Sequence, residues 1–229
     1  MIMEWIEDDL SSINLDDRDK PALFIHISKG LAFIHASGFT HRDLKPENIL
    51  IQMRSRRLTV AKIADFGTTK YDISGKMQSY AGSSVYMAPE FFEQQLSYTN
   101  AVDMWSFGVI AVQYLTGWDP SSDAWDTRFP PNKTQHQEWI CEVLQPRVAV
   151  APERFRPFSL GLLSETPECR WTAVDCENWL QKKADIDAQG DTRSIGKREA
   201  SPLDEDTGDS GKLRRVRSNS HTFSTVDAY

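Results

Sequence analysis

His41-Arg42-Asp43-Leu44-Lys45-Pro46-Glu47-Asn48 is the stretch from which the rest of this sequence is best read. Just after it, residues 49–52 and 58–63 form two short β stretches separated by a basic turn at residues 54–57. Just before it, Leu23, Ile27, Leu31 and Ile34 fall at i, i+4, i+8 and i+11, one face of a helix. Pro21 sits near the start of that helix, where proline is tolerated, and Ser37-Gly38 stops it. Further out, residues 1–6 read as a short strand running into an acidic turn. Residues 65–90 are rich in Gly, Ser and Thr and read as a long loop of the kind that is functional or disordered. Residues 102–115 are almost continuously apolar, which predicts a helix buried on most sides. Thr172-x-x-Asp175 has the form of a capping box opening a last helix.

Composition narrows the function classes. The chain of 229 residues has 40% hydrophobic and 10% aromatic side chains, enough for a core, and a formal net charge of −7. That balance argues against nucleic acid, which needs a clustered basic face, and against an anionic membrane surface. No apolar run approaches the ~20 residues of a membrane span. Cys141, Cys169 and Cys176 form no C-x-x-C pair and read as reduced thiols. The five histidines have no metal-ligand spacing. The expected location is intracellular, cytoplasmic or nuclear. Residues 181–229 hold nine basic and nine acidic side chains, so the net charge lies on the part before them. From residue 184 to 229 the sequence turns polar and Gly/Ser-rich and reads as a disordered tail, leaving residues 1–183 as the folded domain.

Two further motifs follow the opening stretch in order: Asp65-Phe66-Gly67 and Ala88-Pro89-Glu90. Taken with residues 41–48, they resemble the signature set of the eukaryotic protein kinase family, serine/threonine type. The resemblance covers about residues 1–183 and only the large, C-terminal lobe with its hinge. The implied fold is α+β for the family, and for this chain a mostly α-helical lobe with short β hairpins near the catalytic loop. The implied activity is ATP-dependent phosphorylation of protein serine or threonine, with ATP and Mg²⁺ as cofactors and a protein substrate as partner.

The chemistry explains the residue types. Phosphoryl transfer needs a hydroxyl held in line with a phosphate whose charge is neutralised. By resemblance, Asp43 orients or accepts the hydroxyl proton, and Lys45 sets a positive charge on the transferring phosphate. Asn48 and Asp65 offer oxygens to Mg²⁺, a hard cation. Leu50 is an apolar floor under the adenine, and Glu4 and Ile6 offer it backbone groups. Met3 falls at the gatekeeper position, and Asp8 or Asp9 reaches toward the ribose. Lys45, two residues after Asp43, marks the serine/threonine type. Asp103 bonds the catalytic-loop backbone, and Arg170 pairs with Glu90. Phe66 and Gly67 complete their motif. Ser83 keeps the hydroxyl that bonds Asp43 and Lys45, although Ser84 stands where many relatives have proline. Arg42 is suited to bind a phosphate in the loop at Ser79, Tyr80 or Ser74.

No Gly-x-Gly-x-x-Gly loop and no Val-Ala-x-Lys strand precede residue 41. The small lobe is therefore expected from a missing N-terminal segment or from a partner chain. Leu50 and Phe66 then face a surface that is normally covered. The alternative reading is a non-catalytic binding or scaffold module. In the tail, arginine stands three residues before both Ser218 and Ser220, a pattern that resembles sites read by basic-directed kinases. A solvated low-complexity tail is the other reading of that segment.

Overall fold

The computed structural model describes residues 5–68, 70–71, 84–92, 99–123 and 132–195. The chain divides into two units, Met1–Gln189 and Gly190–Tyr229, and the elements below belong to the first except for the last residues of the final helix. Its elements run β1 (Asp8–Asp9), α1 (Lys20–Ala36), β2 (Phe39–Thr40), β3 (Ile49–Arg54), β4 (Arg57–Ile63) and β5 (Lys70–Tyr71). Then come α2 (Ala101–Thr116), α3 (Lys133–Trp139), a π-helical segment (Ile140–Leu144), α4 (Gln145–Val150), α5 (Arg156–Leu162) and α6 (Ala173–Ile195). The lobe is mostly helical with a few antiparallel strands, as the sequence predicts.

α1 turns Leu23, Phe24, Ile27, Leu31 and Ile34 inward. Leu23, Phe24, Ile27 and Leu31 meet Phe107 and Ile110 of α2, Phe158 of α5, and Ile49 and Ile51 of β3 in one core. Phe24 stacks on Phe158 at 5.6 Å and meets Phe107 edge-on at 6.1 Å, geometries that add to plain burial. α2 has buried residues all round from Val102 to Val112, which accounts for its unbroken apolar sequence. Its far face builds a second cluster with Val85, Met87, Phe91, Trp139, Ile140 and Leu144. Gly117 ends α2 at φ 72°, a left-handed conformation that favours glycine.

β3 and β4 form a hairpin in the register Ile49↔Ile63 to Arg54↔Arg57. The strands run longer than the sequence reading, so only Ser55 and Arg56 turn the chain, both at positive φ (51° and 60°). The type I′ form of a two-residue hairpin loop has positive φ at both positions, and here neither residue is glycine.

Two expectations are corrected. Residues 5–7 carry no strand, and residues 1–4 lie outside the described residues. The strand is Asp8–Asp9, because that is where the chain meets the free edge of β3, Asp8 opposite Ile51 and Asp9 opposite Leu50. The helix opened by Thr172 and Asp175 continues past residue 183 to Ile195, into the stretch whose composition reads as a tail. Residues 184–195 contain no proline, and a Lys183–Asp187 pair (3.8 Å) spans one turn. Residues 65–90 are not all loop: they include β5, which pairs with β2, and short 3₁₀ turns at Phe66–Thr68 and Ser84–Tyr86. Ser74, Ser79, Tyr80, Ser83, Ser218 and Ser220 lie outside the described residues, as do Met3 and Glu4. Among the described residues no helix is long and apolar enough to cross a membrane.

Candidate active site

Loop 41–48 joins β2 to β3, and a single buried carboxylate shapes its start. Asp103, near the start of α2, is 1% exposed. Its Oδ2 accepts from the His41 backbone N–H (2.8 Å) and from His35 Nε2 (2.8 Å), and its Oδ1 accepts from the Arg42 N–H (2.7 Å). Three donors thus satisfy a charge that burial alone would penalise. They also hold Arg42 at φ 75°, a strained conformation for a bulky residue that persists only where its surroundings enforce it.

His41 ties this loop to the end of β4. Its Nε2 donates to the Ala64 carbonyl (2.8 Å), which leaves Nδ1 as acceptor toward the Asp43 N–H at a long 3.4 Å. Its ring meets Phe66 edge-on at 5.5 Å. The hairpin register does the rest. Ile49 opposes Ile63, so Asn48 and Ala64 are neighbours, joined by an Ala64 N–H to Asn48 carbonyl bond of 2.9 Å. Asp65 follows directly, at φ 60°.

Within the loop, Lys45 Nζ lies 2.9 Å from Asp43 Oδ2. Asn48 Nδ2 donates to the Asp43 backbone carbonyl (2.7 Å) and to the same Oδ2 (3.2 Å). Asp43 and Lys45 are 11% and 22% exposed at their side chains, so the pair is reachable from solvent but largely sheltered. Asp65 is exposed, and its Oδ1 accepts the Gly67 N–H (3.1 Å). Phe66 is 51% exposed and Leu50 half-buried. Ile6 is half-buried, Asp8 is exposed, and Asp9 spends Oδ1 on Ser11 and Ser12 in a local turn. Among the described residues no group of three or more His, Cys, Asp or Glu could hold a metal. Asn48 and Asp65 each carry a side-chain oxygen, the hard donor type that Mg²⁺ takes together with waters and phosphates.

Farther along, Arg170 has no side-chain exposure and grips Glu90 with both terminal nitrogens (2.7 and 3.1 Å). It also donates to the carbonyls of Ala101 (2.8 Å) and Ser164 (2.9 Å) and lies over the Trp105 ring. This fastens residues 89–92 to the base of α2. Two positioning residues escaped the sequence reading. His35 supports Asp103 across 68 positions of sequence. His136 bonds the Met87 carbonyl (3.1 Å), and burial pushes its pKa down to about 4. Nothing local in the sequence marks either residue, since each partner is distant along the chain.

Comparison with known proteins gives a family. The family model described as "Protein kinase domain" matches residues 1–182. A probable myosin light chain kinase of Dictyostelium discoideum is 33% identical over 181 residues, covering 74% of this chain and 46% of that protein. A serine/threonine-protein kinase of Saccharomyces cerevisiae is 33% identical over 162 residues, 69% of this chain and 18% of that one. Calcium/calmodulin-dependent protein kinase type 1 of Caenorhabditis elegans is 39% identical over 159 residues, 69% of this chain and 44% of that one. The chain spans less than half the length of these relatives.

Proposed function

The chain belongs to the protein kinase family, and from that premise we propose that it transfers the γ-phosphoryl group of ATP to serine or threonine hydroxyls of proteins. The observation that carries this reading is the Asp43–Lys45 pair at 2.9 Å with the Asn48 amide on the same carboxylate. Asp43 takes or orients the proton of the attacking hydroxyl, and Lys45 holds a positive charge beside the phosphate being moved. Asn48 commits its amide nitrogen to Asp43, which turns its oxygen to use as a cation ligand. Asp65 keeps its second carboxylate oxygen for the same ion. When bound, Mg²⁺ supplies neutralisation of the phosphate charge. Leu50 and the backbone near residues 4–6 would receive the adenine. Ser83 is proposed as the hydroxyl that answers Asp43 and Lys45, and Ser79 as a phosphate carrier read by Arg42. Lys45 and the serine/threonine kinases among the relatives favour serine and threonine over tyrosine.

The exposed Phe66 ring and the half-buried Leu50 present an apolar face near the proposed nucleotide position. A covering segment, from this protein or a partner, would close that face and exclude water during transfer. The test uses protein isolated from its native cells, as wild type and as Asp43→Asn, with γ-labelled ATP and Mg²⁺. The expected product is labelled phosphoserine or phosphothreonine, with the variant slower by about 10²–10⁴. Absence of label from the wild type, or label on tyrosine, would defeat the proposal; the first outcome would favour a non-catalytic binding module.

A further inference from the structure

Between the tip of the β3–β4 hairpin and the segment leading into α1 lies a hollow of about 470 Å³, lined by Ile13, Asn14, Asp16, Met53 and Arg56. No residue of loop 41–48 or of the Asp65-Phe66-Gly67 motif lines it. Ile13 and Met53 are half-buried and pack against the main core, so they give the hollow a fixed apolar floor. Asn14, Asp16 and Arg56 are exposed and form its polar rim.

The charges around this hollow pair off, with two exceptions. Arg18 holds Asp16 (2.7 Å), Lys20 holds Asp17, and Arg57 donates from Nε to Asp19 (2.7 Å). Arg54 and Arg56 are exposed and, among the described residues, neither has a carboxylate within ion-pair distance. Residues 1–180 carry the whole formal charge of −7, so two unmatched guanidinium groups at one turn reverse the sign locally. Ser55 and Arg56 also hold positive φ angles (51° and 60°) without being glycine, a strain that gathers at binding sites. The turn so formed sets one cation on the rim of the hollow and the other two residues before it.

We propose that this hollow docks an extended acidic peptide, one apolar side chain seated between Ile13 and Met53 and the adjoining carboxylates held by Arg54 and Arg56. Exposed guanidinium groups are open to a carboxylate, which they take through two parallel N–H bonds. The volume admits one or two large side chains, not a folded domain. An anionic membrane fits less well, since a surface that wide also meets the net negative charge of the rest of the chain. The hollow shares no residue with the catalytic loop, so docking does not depend on phosphoryl transfer.

The probe is the capped peptide Gly-Leu-Glu-Glu-Glu-Gly, with Gly-Leu-Gln-Gln-Gln-Gly as its neutral counterpart and Gly-Ser-Glu-Glu-Glu-Gly as the form without an apolar anchor. Each is titrated into the full chain and followed by backbone amide NMR, on wild type, Arg54→Gln, Ser55→Asn/Arg56→Gly and Asn14→Trp. Asn14 is an exposed residue of the rim, so the bulky ring fills the hollow while leaving the core intact. Ser55→Asn/Arg56→Gly relieves both positive-φ positions, so a loss of binding there does not come from unfolding. The expected result is saturable movement of the amides of residues 13–16 and 53–57 by the acidic peptide. Binding should be roughly tenfold weaker for the neutral peptide and about three- to fivefold weaker in each arginine variant. It should also weaken for the peptide without an anchor, fall with added salt and vanish in Asn14→Trp. Equal affinity for the acidic and neutral peptides, or for those with and without the anchor, would overturn the proposal. So would unchanged binding in both arginine variants or in Asn14→Trp, or no binding at all. Sedimentation with phosphatidylserine vesicles in the absence of peptide binding would overturn it in favour of a membrane, and concentration-dependent movement of the same amides without peptide in favour of a second copy.

Discussion

Asp103→Asn removes one oxygen from a carboxylate that accepts three hydrogen bonds, and the geometry fixes the consequence. Oδ2 takes the His41 N–H and His35 Nε2, while Oδ1 takes the Arg42 N–H. An asparagine keeps one acceptor and gains an NH₂ group. Whichever way the amide is turned, that NH₂ faces at least one backbone N–H, at the 2.7 or 2.8 Å now spanned by a bond. Bonds to a charged group contribute about 1.5–3 kcal/mol each, and the opposed donor adds an unsatisfied buried group. The expected destabilisation is about 3–5 kcal/mol, read as the loss in unfolding free energy from urea titration at constant m. In a thermal scan it appears as a fall of roughly 6–20 °C for a domain of this size. Arg42 would also lose one of the constraints that hold its φ of 75°. A variant within about 0.5 kcal/mol of wild type would refute the argument that this carboxylate organises the loop.

Glu90→Gln leaves the buried Arg170 cation without its counter-charge and should cost about 3 kcal/mol, whereas the double variant Glu90→Leu/Arg170→Met should recover much of that loss in the same denaturation assay. His136 is neutral in the folded state down to pH about 4, while the unfolded chain protonates it near 6.5. Its contribution is full above pH 6.5, falls as pH drops toward 4 and is flat below, a span of roughly 3 kcal/mol. The difference in stability between wild type and His136→Gln, measured at steps from pH 8 to 4, should shrink over that interval. Replacing Ser55-Arg56 by Asn-Gly relieves two positive-φ positions at the hairpin tip and should raise stability by about 1–2 kcal/mol without altering the β3–β4 register, checked by backbone amide NMR.

What the sequence made legible was local or periodic. The spacing of Leu23, Ile27, Leu31 and Ile34 defines the buried face of α1, and the apolar run of residues 102–115 defines α2. The short β stretches around residues 49–63 were visible because each carries its own apolar pattern. Of the strand expected at residues 1–6, the described residues 5 and 6 carry none, for the opposite reason. Strand formation depends on a partner edge, and β3 offers its edge to Asp8 and Asp9. The extension of α6 runs through a polar stretch whose composition resembles a disordered segment. At the candidate site the motif residues stood out, but their supports did not. His35 and His136 depend on contacts between distant parts of the chain.

The central claim is that Asn48 and Asp65, set side by side by the β3–β4 register, hold the metal of a nucleotide beside Asp43 and Lys45. It is tested most directly by the unfolding midpoint of the purified chain with and without Mg·ATP, next to an Asp65→Ala control. Ligand at a hundred times its dissociation constant adds about 2.7 kcal/mol to stability. The expected result is a rise of roughly 5–10 °C that needs Mg²⁺ and disappears in Asp65→Ala. A folded wild type with no rise, or an equal rise in the control, would contradict the claim.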